Sequence, residues 1–466
     1  MRRSWMQRTL FGAVVALTSS MGLGQADVIC GVVAGVSQSG GTGPLLLGSV
    51  GDQIAYAIGT TSCNVGNVPL NWFQSGANRH PLIVTNIYRL EDGALEQVGV
   101  SWVKHGFCAL QLNVCGSCSA VCGGCCSQLG VGCSDPYDAS LNGSQTGLGP
   151  RFEINCNTGE YPWPFTTAGS SGNAVYKRLQ VNVNDMDPLQ HPNASFVGEA
   201  QYVAFDDAAA GNANNNASHR LINLGAFDPF TGGYRLIYNG GTVREEPAIF
   251  AWQDADPNVQ LTPVDVPGDG RFWVGANATD NGDGTWHYEY AVFNLNSNRN
   301  AGSFSVETGS SPANIGFHDA EYHSGEPFDG TDWGATVTSS DISWSNGTDY
   351  NTNSDANAIR WATLYNFRFD APTAPTTGTA TIGLFGPGQA GDPSEVTLSV
   401  PVPEGGASGC NGADLAAPFG VLDLNDVQTF IAAFIGGDLL ADISGDGILD
   451  LVDVQMFIAD FLAGCP

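Results

Sequence analysis

Residues 271–293 read Arg271-Phe-Trp-Val-Gly-Ala-Asn-Ala-Thr279, then Asp280-Asn-Gly-Asp-Gly-Thr285, then Trp286-His-Tyr-Glu-Tyr-Ala-Val-Phe293. Two runs rich in β-branched and aromatic residues flank a turn made of Asn-Gly and Asp-Gly pairs, which is the composition of a β-hairpin. Trp286, Tyr288 and Tyr290 alternate, so a strand would carry their rings on one face. The acidic turn also offers oxygens to a calcium ion, but a hairpin connection is the simpler reading. Similar short runs stand at 234–238, 248–252, 303–307, 360–369, 379–384 and 395–400, separated by glycine-rich punctuation. The chain has 61 glycines. Many short strands between such turns predict a mainly β protein built as a β-sandwich.

The cysteines divide this body. Eight of the twelve fall between Cys108 and Cys156. We therefore expect a Cys-rich N-terminal β module over residues 27–168, a β-sandwich over 169–402 and a Pro/Gly linker over 403–409. One continuous sandwich with a disulfide-knitted excursion is the alternative. Cys115-x-x-Cys118 and Cys122-x-x-Cys125-Cys126 have the spacing of a zinc or iron–sulfur site. Adjacent cysteines more readily join different partners than one ion, and disulfides are the expected state in an exported chain. Their connectivity is not readable from sequence.

Export is itself an expectation from the N-terminus. Arg2, Arg3 and Arg8 precede the apolar run Leu10-Phe-Gly-Ala-Val-Val-Ala-Leu17, and Gly24-Gln-Ala26 supplies small residues for cleavage. Residues 1–26 thus read as a secretory signal peptide, placing the protein outside the cell or at its surface. No later run is long enough to span a bilayer. With 46 acidic and 16 basic residues the formal net charge is −30, which argues against nucleic acid and anionic membrane as partners.

The most specific motif lies at the C-terminus and is written twice. Asp423-Leu-Asn-Asp-Val-Gln-Thr-Phe-Ile-Ala-Ala-Phe-Ile-Gly-Gly437 is followed by Asp450-Leu-Val-Asp-Val-Gln-Met-Phe-Ile-Ala-Asp-Phe-Leu-Ala-Gly464. Before the second copy runs Asp442-Ile-Ser-Gly-Asp-Gly-Ile-Leu-Asp-Leu-Val-Asp453. A calcium loop of the EF-hand type needs oxygens at alternating places, glycine at the sixth and a carboxylate at the twelfth. Asp442, Ser444 and Asp446 fill the first, third and fifth places, and Gly447 the sixth. Ile448 would give its carbonyl with its side chain buried, Asp450 stands ninth, and Asp453 closes the shell. The first loop is weaker. Asp414, Val421, Asp423 and Asp426 fall near the matching places, but the loop is one residue too long.

Apolar residues then recur at helical spacing: Leu424, Val427, Phe430, Ile431, Phe434 and Ile435, and again Leu451, Val454, Phe457, Ile458, Phe461 and Leu462. Two such helices can bury these stripes only against each other. A core this small needs metal and covalent staples, and a bridge between Cys410 and Cys465 would clasp the ends.

In these features residues 410–466 resemble the dockerin family, in a compact variant bounded by cysteines. The resemblance implies a small α-helical domain that folds on Ca2+ and docks through its helices onto a cohesin-like module of a scaffold or cell surface. The pair just inside each helix, which tunes partner choice in the family, corresponds to Leu424-Asn425 and Leu451-Val452. Both depart from the hydroxyl-bearing pairs of cellulosomal members, so another surface partner is as consistent. The rest of the chain resembles uncharacterised secreted bacterial proteins, in phrases such as Phe205-Asp-Asp-Ala-Ala-Ala-Gly-Asn212.

Within the larger body the densest constellation is His318, Asp319, Glu321 and His323. Two imidazoles and two carboxylates in one loop could hold a transition ion; a polar loop bonded to its own surroundings is the plainer reading. Most of the ten tryptophans are expected in the core, although exposed rings would suit sugar stacking. The expected function is therefore a secreted, calcium-binding protein of binding or structural type, with glycan as a candidate ligand. The alternative is an extracellular glycoside hydrolase acting on polysaccharide, with the sandwich as its catalytic domain; no catalytic residue can be nominated.

Overall fold

The structure, a computed structural model, describes residues 25–35, 42–73, 78–309, 312–338, 340–404, 410–416, 421–437, 439–445 and 447–465. Residues 1–24 of the expected signal peptide, residues 405–409 of the expected linker and Asp446 of the expected calcium loop lie outside the described residues.

The protein is mainly β, in two packed sandwiches. The first is dominated by an antiparallel sheet ordered Gly233–Val243, Ala217–Asp228, Ser195–Val203, Leu82–Glu91, Ala94–Val100, Leu179–Asn182, Gln53–Ala57 and Leu45–Val50. A three-stranded sheet of Val28–Ala34, Gly59–Asn64 and Ser134–Tyr137 covers one face. Tyr56, Trp72, Phe196 and Tyr202 fill the space between them. Ala26 belongs to this same core.

The second sandwich lies beyond residue 259. One sheet orders Gln260–Asp265, Arg271–Asp280, Trp286–Asn294, Leu364–Ala371 and Ala313–His318. The other orders Gly334–Val337, Asp341–Ser345, Ala301–Glu307, Pro375–Leu384 and Glu395–Pro403. The hairpin that opened the sequence reading pairs Asp280 with Trp286, and Tyr288 and Tyr290 point into the core with Trp286 packed at its edge. Tyr288 stacks on its cross-strand partner Phe369 at 5.2 Å, so the alternation is cashed as aromatic pairing across the sheet. The turn needs no ion. Asp280 accepts from the Gly282 N–H and Asp283 from the Thr285 N–H, and Gly282 and Gly284 take positive φ.

Two expectations need correction. The boundary at residues 168/169 falls inside the first sandwich, because Leu179 pairs with Tyr56 and Ser195–Val203 pairs along the whole of Leu82–Glu91. The end of a cysteine cluster marks where staples stop, whereas a sheet continues wherever its edge is unpaired. The change of sandwich comes instead near the short helix Phe250–Ala255. That helix replaces the strand expected at 248–252. Pro247 cannot donate to a ladder and instead accepts from Phe250 N–H, starting a turn that buries Ala251 and Trp252.

The cysteine cluster is a disulfide framework. Cys63–Cys115, Cys108–Cys125, Cys118–Cys133 and Cys122–Cys126 are joined, so the adjacent Cys125 and Cys126 do take different partners. Cys410–Cys465 is the fifth bridge, and Cys30 and Cys156 are free and buried. Five bridges are consistent with an extracellular protein. Among the described residues no helix is long and apolar enough to cross a membrane.

The two sandwiches share a polar junction. Buried Gln97 donates to Ala362 O and accepts from Leu364 N–H, and buried Gln201 donates to Leu295 O while accepting from Trp361 Nε1. Arg151 donates to Ser101 O, Trp361 O, Ala362 O and Asn86 Oδ1. Glu96 of the first sandwich binds Arg368 of the second as well as Arg89. Burial alone would raise the Glu96 carboxyl, but His318, Arg368 and Arg89 together hold it down to about 2. Leu95, Val197, Trp252, Phe293 and Leu364 supply the apolar part of the same junction.

Candidate functional site

The duplicated tail folds as two matching helices, Leu424–Gly436 and Leu451–Ala463. Each begins with the same device. Asp423 and Asp450 cap the helices, and the third helical residues, Asp426 and Asp453, reach back to the cap N–H. Asp426 also accepts from Leu415 and Ala416 N–H at 2.8 Å, and Asp453 from Ser444 N–H at 3.0 Å. Both carboxylates are fully buried, so each ties its helix to the loop that precedes it. Phe430 and Phe457, equivalent positions, stack at 4.1 Å in the centre of the pair.

The loops differ. In the second, Asp442 folds inward, accepting from Gly445 N–H at 2.9 Å, Gly447 N–H at 2.7 Å and the Ser444 hydroxyl at 3.2 Å. Gly447 takes φ +76°, the left-handed conformation the sixth place requires. In the first, Asp414 accepts from Cys410 N–H, upstream of the loop. Residues 417–420 of that loop lie outside the described residues. The expected burial of the Ile448 side chain is not found: it is 63% exposed, and its counterpart Val421 is exposed too.

The apolar stripes also divide in a way the spacing alone does not reveal. Val427, Phe430 and Phe434 pack with Val454, Phe457 and Phe461. Leu424, Ile431 and Ile435 in one helix, and Leu451, Ile458 and Leu462 in the other, are left exposed. At about 100° per residue these two sets form adjacent arcs on each helix, and a two-helix core covers only one of them. Ile435 and Leu462 are about four-fifths exposed.

The His318 constellation sits where the sandwiches meet but does not converge. His318 Nε2 bonds Gln97 O, and Asp319 accepts from Asn357 Nδ2. His323 Nε2 bonds Val100 O at 2.9 Å, while its Nδ1 meets Gln180 Nε2 and Ser324 Oγ. Burial lowers the His323 imidazole to about 4, so it is a neutral ring consumed by the junction. The transition-ion alternative finds no converging ligand set here: His318 and His323 fasten loop 318–326 to the first sandwich, and Asp319 holds Asn357 of the second. Among the described residues, the one group of three candidate ligand atoms within 4.8 Å is Cys410, Asp414 and Cys465, and its sulfurs are bonded to each other.

Beside this loop lies a cleft of about 550 Å³ lined by amides and by Asp185, Asp319, Glu321 and Asp332, with no tryptophan. Burial raises the Asp319 carboxyl to about 6. No tryptophan among the described residues is exposed, and six are in the core. The sequence reading missed this cleft because its walls come from residues more than a hundred apart in the chain.

No known protein-family model matches the chain, and no curated protein does. Among solved structures it is similar to a serine-rich repeat adhesion glycoprotein (Srr1) from Streptococcus agalactiae, at 8% identity over 74% of this chain and 88% of that one, with a TM-score of 0.18. It is also similar to the B domain of a biofilm-associated protein, at 9% identity over 77% and 84%, with a TM-score of 0.15. Likeness at this level carries no inference about fold or function.

Proposed function

We propose that this is an exported protein of binding or structural type, attached to a scaffold or surface partner through a calcium-folded, dockerin-like tail. The observation that carries the reading is the duplicated exposed face: Leu424, Ile431 and Ile435 matched by Leu451, Ile458 and Leu462. A monomer gains nothing by holding six large aliphatic side chains in water on paired helices, whereas a helix-in-groove partner would use them as anchors. A cohesin-like module or another surface protein is the partner class; nucleic acid is disfavoured by the charge of −30.

By residue type the second loop suits a hard divalent cation: Asp442, Ser444, Asp450 and Asp453 offer oxygens, and Asp442 is turned onto the Gly445 and Gly447 N–H groups. Ca2+ would neutralise these carboxylates and hold the loop against its helix. Asp442→Ala in the full chain should weaken calcium uptake by at least tenfold in calorimetry and loosen the second tail helix. Unchanged uptake would reject the loop. For docking, Ile431→Glu with Ile458→Glu should abolish calcium-dependent retention on the producing organism's cell-wall fraction, without altering the β-sheet circular dichroism.

A second reading, an extracellular hydrolase acting on polysaccharide, draws on the carboxylates of the junction cleft, with Asp319 as the raised acid. Glu321→Gln and Asp319→Asn would each have to remove any hydrolytic activity found on soluble polysaccharides.

A further inference from the structure

On the other side of the junction a cavity of about 350 Å³ opens between residues 151–156 of the first sandwich and loops of the second. Two guanidinium groups, from Arg299 and Arg360, line it. The whole chain has only 16 basic residues against 46 acidic ones, so cations gathered without counter-ions run against its composition. Among the described residues neither guanidinium lies within 4.0 Å of a carboxylate, although Asp355 stands on the rim.

Both groups are held by carbonyls and keep donors to spare. Arg299 donates from Nε to Gly386 O at 3.1 Å and from Nη1 to Pro393 O at 2.7 Å. Arg360 donates from Nη2 to Ser354 O at 2.8 Å and Ala356 O at 2.9 Å, and its Cζ lies 3.7 Å from the Phe328 ring centroid. No acceptor among the described residues meets Arg360 Nε or Nη1, or Arg299 Nη2. A half-buried guanidinium without an anion is a costly arrangement, and a planar fork fixed in advance is suited to a carboxylate. Arg151, also at this cavity, is buried and commits Nε, Nη1 and Nη2 to four acceptors of the junction.

The remaining wall is aromatic. Phe152 is 45% exposed and Tyr350 37% exposed, and both line the cavity. A flat apolar ring beside a carboxylate-seeking fork matches one ligand class well, a sugar ring that carries its own carboxylate.

We propose that this cavity binds a uronic-acid unit of an acidic polysaccharide, with the carboxylate on Arg299 and Arg360 and the C–H face of the sugar on Phe152 and Tyr350. The proposal deepens the reading of the sandwiches as a binding body and is independent of how the tail docks. The volume is at the small end of the usual range for ligand pockets, roughly 300–1,000 Å³, which suits one or two sugar rings at a chain end.

The test is calorimetric titration of the full-length oxidised protein with tetragalacturonate, beside neutral maltotetraose, in chelator so that the tail takes no part. The acidic sugar should bind at least tenfold more tightly than the neutral one. Arg299→Gln and Arg360→Gln should each weaken it by roughly tenfold or more, the size expected for a charged hydrogen-bonding contact. Since both arginines brace loops, Phe152→Ala serves as the variant that leaves the fold alone; several-fold weaker binding with an unchanged melting temperature is expected. Arg360→Lys, which keeps the charge and loses the fork, should fall between wild type and Arg360→Gln. Equal affinity for the neutral sugar, or no binding by a fully folded protein, would overturn the proposal. Tight acidic-sugar binding indifferent to all of these substitutions would overturn this cavity while leaving a binding role for the sandwiches standing.

Discussion

Asp135 and Asp207 show what burial does to single carboxyls here. Asp135 accepts from Trp72 Nε1 and Leu110 N–H, Asp207 from Val28 N–H and Asn216 Nδ2, yet burial outweighs these bonds and pushes both up to about 7. Buried imidazoles shift the other way, His105 to about 2 and His323 to about 4. The signs are opposite in their effect on stability. An acid with a raised folded pKa makes the native state bind more protons, so its contribution is lost as pH rises through 7. A histidine with a lowered folded pKa charges more readily when unfolded, so stability is lost as pH falls through about 6.5. We expect the melting temperature to rise as pH falls from 8 to about 6.5, while the charging of the unfolded histidines opposes any further gain below that value. Calorimetry in buffers of matched ionic strength reads this directly; a melting temperature highest at pH 8 would contradict it.

At the scale of elements, the tail helices bury few of their residues and depend most on their staples. The Cys410–Cys465 bridge closes a loop spanning 55 residues in sequence. Replacing both cysteines by serine should cost the tail about 4 kcal/mol by the chain-entropy scale for a loop of that length. Far-ultraviolet circular dichroism with and without calcium would register the lost helix. Phe457→Ala removes half of the central ring stack and should cost about 3–5 kcal/mol, the range for a buried aromatic truncation. The sequence announced these helices and the hairpin at 271–293, because each depends on residues within one turn or one pleat of each other; it did not announce that Asp423 and Asp450 cap the helices. It did not announce which arc of each helix faces solvent, since period fixes a stripe but not how much of it a partner covers. The strand expected at 248–252 failed for a local reason, Pro247, and the boundary at residue 169 for a distant one, the pairing of Leu179 with Tyr56. Likewise His318 and His323 could be singled out as a group, but their partners Gln97, Val100 and Gln180 lie in strands of the other sandwich.

Taken as one body, the two sandwiches are joined by buried hydrogen bonds and by the Glu96–Arg368 pair, so they should unfold together. Arg368→Met leaves Glu96 and the nearly buried Glu289 without that partner, a change that typically costs about 3–5 kcal/mol for a buried pair. It should lower a single main calorimetric transition; two separated transitions in the unaltered protein would show the sandwiches to be independent. Glu96, held to about 2 in the folded protein, adds stability above its unfolded value near 4.3 and gives it up as pH drops toward 2. Acid should therefore open the junction first, visible as exposure of the Trp361 indole.

The two unpaired cysteines give the molecule a built-in stopwatch. Cys30 is wholly enclosed in the first strand of the first sandwich, and Cys156 is about 1% accessible at the wall between the two bodies. Neither sulfur can be alkylated until its surroundings part, so the rate at which iodoacetamide adds to each thiol times the opening of that region alone, with the five bridged pairs chemically silent throughout.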